Sequence, residues 1–265
     1  MSTQTTTTAA PRALAGTTDR RAPLTYLRLE LKRTIRNRRL LTFTFGFPLV
    51  LFLVIAGPQR DDQSLGGSGI PAVVYFMAGL AAWGTMTAMI ATGARIAAER
   101  SSGWQRQLRI TPLTPAQYLG AKVATSYAIA VVALLLMYVA GYLMGARVEA
   151  LRWVEMTLQI LVGLLPFAAL GVLIGHLVSA DSVGPLMGGG VAIIAFLSGT
   201  WFPLDQGSTL YDIGRQLPSY WLVQAGRIGT GAGGWPLYGW VVLVVWSVVL
   251  WALALRAFRR DTARA

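Results

Sequence analysis

Residues 70–94 read IPAVVYFMAGLAAWGTMTAMIATGA, an unbroken run without one charged side chain. A hydrocarbon core about 30 Å thick takes about 20 apolar residues to cross as a helix, so this run is long enough to span it. Five more stretches of the same kind flank it, at residues 40–57, 123–146, 156–178, 182–204 and 235–258. Arg256 enters only near the end of the last, and Pro48 predicts a kink in the first. The pattern predicts an all-α polytopic membrane protein with six transmembrane helices.

Composition supports that class and removes others. Of 265 residues, 54% are apolar and 13% charged, against about a quarter charged in soluble domains. The basic excess, 23 Lys+Arg over 11 Asp+Glu, cannot be spread over the hydrophilic surface that a soluble nucleic-acid binder needs. With no cysteine and the single histidine His176, neither a metal centre nor a catalytic triad is expected. A P-loop needs lysine directly after glycine, but Lys32 follows Leu31 and Lys122 follows Ala121. No catalytic residue is expected, and ATP-driven work would require a separate subunit.

Residues 1–23 are polar and Thr-rich, without the apolar core of a signal peptide, and read as a disordered cytoplasmic tail. In residues 24–39, Leu24, Leu27, Leu31 and Ile35 recur at helical spacing among Arg28, Lys32, Arg33 and Arg36. This is the pattern of an amphipathic helix lying on an anionic leaflet. Six spans put both termini on one side, with residues 261–265 as the C-terminal end. That side carries 18 of the 23 basic residues, which predicts a cytoplasmic location for both termini.

Uncharged spans argue against ion coupling, because coupled carriers keep ionisable residues inside the membrane. His176 reads as a hydrogen-bonded boundary residue. The link between spans two and three runs through Glu99-Arg100-Ser-Ser-Gly103 and Trp104 to Pro112 and Pro115. It predicts a turn, a short helix and a Thr114 cap. A short cytoplasmic coupling helix and a solvated loop both fit it. Trp201 to Trp235 is too long for a passive turn and predicts outer re-entrant helices between spans five and six; an outer gate and a surface aromatic belt both fit. Gly171 with Gly175 and Gly141 with Gly145 make small-xxx-small pairs, expected to pack within the chain. Trp83, Tyr127, Tyr138 and Phe167 are candidates for a substrate path.

Three of these segments resemble the membrane permeases of type-2 ABC exporters, in particular the drug and antibiotic resistance branch. They are Leu29-Glu-Leu-Lys-Arg-Thr-Ile-Arg-Asn-Arg-Arg through Phe47-Pro48, the Glu99–Leu113 link, and Leu197-Ser198-Gly199 through Phe202-Pro203-Leu204 with Leu217-Pro218 and Tyr220. Trp104 stands where the family often has a small residue. The resemblance implies an ABC exporter in a cell membrane, moving small amphipathic compounds by alternating access. Its partners would be a cytoplasmic ABC ATPase dimer, a second permease copy or sister permease, and membrane lipids; nucleic acid is not among them. ATP and Mg would be bound in the ATPase, with no cofactor on this chain. Carried over to this sequence, Arg36, Glu99, Arg100, Gly103, Leu108, Arg109, Thr111 and Pro112 contact or shape the ATPase dock. Ser198, Gly199, Phe202, Pro203, Leu217, Pro218 and Tyr220 form the outer gate. A lipid or lipid-linked glycan exporter and a non-transporting sensing subunit share the same architecture.

Overall fold

The computed structural model describes residues 22–62, 70–104, 107, 111, 113–230 and 234–264. These residues hold helices and no strand. The polar tail before residue 22, and Leu108, Arg109 and Pro112 of the coupling segment, lie outside the described residues.

Among the described residues, five helices are long and apolar enough to cross a membrane, and a shorter apolar helix, Thr42–Ala56, accompanies them. The first described element is α1 (Ala22–Arg36); after it, α2 (Arg38–Leu41), a π-helical turn Thr42–Gly46 and α3 (Phe47–Ala56) run on as one rod. The long helices α4 (Ala72–Ser101) and α5 (Pro115–Leu143) come next. Then α6 (Ala150–Gly163) and α7 (Leu165–Leu177) form one span, bent at Pro166. Another span joins α8 (Ala180–Pro185), a second π turn Leu186–Gly190 and α9 (Val191–Leu197). Two short helices, α10 (Thr209–Gly214) and α11 (Pro218–Gly226), precede the long closing helix α12 (Leu237–Arg264).

Both π turns adjoin a proline. Pro48 has no N–H to donate to the carbonyl one turn back, and its ring crowds that carbonyl. The ladder widens instead, with the Phe47 N–H reaching the Thr42 carbonyl. Pro185 stands immediately before the second π turn. The expected kink is therefore a local change of helical register.

The opening stretch is the core of the bundle. In its apolar window α4 is 94% buried, against 22% for α12 and 17% for the α8–α9 span. Glycines let α7 approach it closely. A Cβ on Gly171 would lie 2.6 Å from the Met89 carbonyl, and one on Gly93 would lie 2.6 Å from the Gly171 carbonyl. Gly175 meets Ile96 in the same crossing, and Gly141 meets Met77. By contrast Gly145 terminates α5 in the left-handed region, at φ +103°. The link to α5 begins as expected: the Thr114 hydroxyl accepts from the Gln117 N–H, and the Gln117 side chain accepts from the Thr114 N–H.

The amphipathic helix differs from its sequence pattern. Leu24 and Ile35 are each 59% exposed, whereas Glu30 and Thr34 are buried against the bundle. α1 thus has an apolar face turned outward and a polar stripe turned inward onto α5.

Candidate functional site: an ionic junction and an apolar groove

The basic end of the bundle holds α1, the C-terminus of α4 and the start of α5. Arg95, Glu99 and Arg100 lie on α4 beyond the uncharged stretch, and Lys122 lies one turn into the buried part of α5. Helix geometry brings them together. Lys122 is fully buried, with its Nζ 2.6 Å from Glu30 Oε1 and 2.5 Å from Glu99 Oε1. Tyr118 donates its hydroxyl to Glu99 Oε2 at 2.8 Å, and Arg33 reaches Glu99 Oε1 at 2.9 Å. Arg95 stands 3.6 Å from Glu30 and donates to Thr34, Thr92 and Ser126. The Thr92 and Ser126 hydroxyls are themselves hydrogen-bonded.

Two buried carboxylates therefore face Lys122 and Arg95; Glu99 adds a neutral partner in the Tyr118 hydroxyl and Arg95 adds three hydroxyls. Unpaired, either carboxylate would carry a heavy desolvation cost. Tyr26 closes the cluster, stacked on Tyr118 at 6.0 Å. Burial, then the Glu99 and Glu30 charges, push its phenol well above the usual range, so it stays neutral.

A second junction ties the end of α4 to the C-terminal helix. Arg100 sits 2.7 Å from Asp261 and donates to the Gly175 carbonyl at 3.0 Å. His176 shares Asp261, its Nδ1 2.9 Å away, and packs edge-on against Phe258. Glu99 is therefore an internal strut. Arg36, Thr111 and Trp104, which is 39% exposed, are at the surface. Gly103 takes φ +71°, the left-handed turn that ends α4.

Between the α2–α3 rod, α4 and the α8–α9 span lies an apolar groove of about 800 Å³. Phe43 and Thr44 of one π turn and Met187 and Gly188 of the other line it, with Trp83 of α4 and Trp201. Trp83 stacks edge-on against both Phe47 and Trp201. Among the described residues, no ionisable side chain lines this groove. On its far edge Gly184, Gly188 and Gly189 have open space where a Cβ would point.

The other sequence candidates for a substrate path do not gather there. Tyr127 donates to the Leu161 carbonyl at 3.1 Å, Tyr138 lines a separate groove, and Phe167 is sealed in the core and lines neither.

The end opposite the ionic junction is capped by α10 and α11. Ser198 is buried, and Gly199 turns the chain at φ +66°. The turn presses on α4, where a Cβ on Gly79 would lie 2.3 Å from the Thr200 carbonyl. Arg227 ties the cap down: its Nη2 donates to the Tyr75 hydroxyl and to the Gly199 carbonyl, each at 2.7 Å. Pro218 and Tyr220 of α11 are buried, Leu217 is half-buried, and Phe202 and Pro203 face outward with Phe202 edge-on to Phe196. Three indole N–H groups tether its edges, from Trp221 to Arg215, Trp235 to Trp221 and Trp246 to Gln216 carbonyls.

The structure thus sets an apolar groove beside a capped core helix, with ionic struts at the other end. The model of the ABC-2 family transporter protein matches residues 63–256. The chain belongs to the ABC-2 transporter family. A relative in Bacillus subtilis (strain 168), YvfS, named as a transport permease, is 26% identical over 242 residues. That match covers 87% of this chain and 94% of the relative. As an ABC-2 transport permease, the chain places its core helix α4 and the α8–α9 side of the groove within the matched span, while the α2–α3 side precedes it.

Sequence reasoning missed Glu30, Lys122, Asp261 and Arg227 as structural keys. Each carried a faint signal: an acid in a basic helix, the only lysine near a span, an acid in a basic C-terminus, and an arginine among apolar helices.

Proposed function

We propose that this permease exports amphipathic compounds, drugs or antibiotics among them, as the membrane half of an ATP-driven complex. The groove carries the proposal. It is large enough for a drug-sized ligand, bare of charge, and bounded by two π turns, which recur at functional sites. In this reading the basic end is cytoplasmic and receives a separate ATPase dimer, where ATP and Mg are bound. Arg36, Gly103, Trp104, Leu108, Arg109, Thr111 and Pro112 form or shape the dock. Glu99 and Arg100 pass its movement into α5 and α12. Ser198, Gly199, Phe202, Pro203, Leu217, Pro218 and Tyr220 form the outward gate, latched by Arg227.

The open glycine face of the α8–α9 span supports a second permease, a copy or a sister chain, packing across the groove and completing it. Transport then alternates between a groove open toward the basic end and one opened by release of the cap.

The test is ATPase stimulation in a complex purified with its partner and reconstituted in lipid. Amphipathic compounds are expected to raise ATP hydrolysis, and Thr87→Trp, which fills the groove from α4, to abolish the response while leaving basal hydrolysis intact. Equal stimulation in that variant would remove the groove from the pathway.

A further inference from the structure

A second groove, of about 510 Å³, lies between α5 and α6 near the capped end. Its floor is the edge-on pair Tyr138 and Trp153, 4.5 Å apart, and Leu135, Val139 and Leu158 form exposed walls. Tyr142 stands at its mouth and carries the Arg147 guanidinium 4.4 Å above its ring. Arg147 is exposed, and its Nη1 donates to the Tyr142 and Ala146 carbonyls at 2.9 and 3.2 Å. Those bonds leave the Nη2 and Nε edge of the guanidinium for an acceptor. Nearby Arg152 and Glu155 neutralise each other at 3.1 Å, leaving Glu149 as the other charge of the link.

We propose that this groove holds one phospholipid, its phosphate on Arg147 and one acyl chain laid between α5 and α6. Three features select that occupant. First, α5 ends and α6 begins on either side of Arg147, so the guanidinium sits at the level of a bilayer's headgroups. Second, a guanidinium anchored by carbonyls and an aromatic face is preorganised for bidentate phosphate binding. Third, the groove below it is lined by apolar and aromatic side chains and Thr157, whose hydroxyl is committed to Tyr138 and the Trp153 carbonyl. An acyl chain suits such a lining, and a second charged group does not. The site is separate from the groove beside α4 and stands whatever that groove transports.

The experiment measures phospholipid phosphorus on the full chain after exhaustive washing in detergent, and then quenching of tryptophan emission by phospholipid brominated on its acyl chain. The wild type is expected to retain one phospholipid per chain. Arg147→Gln is expected to weaken retention about tenfold, the worth of a charge-assisted bond, and Leu158→Trp, which fills the groove, to match it. Trp153→Phe is expected to remove a quenched component. Vesicles of anionic and of zwitterionic phospholipid, compared at equal concentration, show whether Glu149 adds a preference for an ammonium headgroup. Retention by Arg147→Gln and Leu158→Trp equal to the wild type would overturn the site, as would quenching unchanged in Trp153→Phe. Phospholipid retained by the wild type is measured without substitution, and wild type that keeps none after washing would overturn the site even where a variant fails to fold.

Discussion

Lys122 Nζ bridges Glu30 and Glu99, at 2.6 and 2.5 Å, and so joins the N-terminal helix to the core helix through a third element. The bridge is wholly buried, with Arg95 offsetting the second carboxylate, so removing the cation alone costs more than removing the cation and both acids. Lys122→Met is expected to destabilise the protein by about 3 kcal/mol, because two buried carboxylates lose the ammonium they share and keep only Arg95 and Arg33. The triple change Lys122→Met, Glu30→Gln, Glu99→Gln is expected to recover much of that loss. Thermal unfolding in detergent measures both, and a triple variant no more stable than the single one would contradict the bridge.

The same cluster makes a mechanical prediction. If Glu99 and Arg100 are internal struts, Glu99→Gln and Arg100→Gln should leave membrane insertion normal yet reduce substrate-stimulated ATP hydrolysis in the complex. Insertion and hydrolysis are measured on the same preparation. Full stimulation in both variants would mean that the α4 end does not carry the coupling.

Glycines separate packing from assembly. Gly171→Val sets a side chain against the Met89 carbonyl, 2.6 Å from the Cβ position, and should cost about 1–3 kcal/mol by overpacking. Gly188 has open space in the same test, so Gly188→Val should leave the chain's own stability intact and weaken association between permeases. Thermal unfolding reads the first effect and cross-linking yield the second.

The absence of cysteine makes single-cysteine labelling clean. On intact cells, an impermeant maleimide should label Asp205→Cys, between α9 and α10, and should reach Thr25→Cys of α1 only after lysis. In the Asp205 background, Arg227→Gln should release the cap and speed labelling of Ser198→Cys, which is otherwise buried. Labelling of Thr25→Cys on intact cells would reverse the orientation.

Much of the bundle was legible because its signal is local. Ile70 to Ala94 reads as a span from its run of apolar residues, and it is the most buried helix. Gly171 and Gly175 announced a close crossing, which α7 makes against α4. What escaped is non-local. Glu30 and Lys122 are 92 residues apart, and no periodicity links an acid in one helix to a lysine in another. The uncharged stretches also ended too early to reveal that Glu99 and Lys122 ride the same helices and turn inward. Pro48 signalled a break but not its kind, since a kink and a π turn follow from the same missing N–H. Of the four aromatic candidates only Trp83 reached the large groove, because exposure to lipid, to a pathway and to the core look alike in an apolar helix.

The central claim is that ATP hydrolysed by a partner at the basic end drives substrate through the groove. The direct measurement is substrate uptake into inside-out vesicles carrying the permease and its ATPase. The account predicts uptake that requires ATP, stops with vanadate and survives a proton uncoupler. Uptake that proceeds without ATP and collapses with the uncoupler would contradict it.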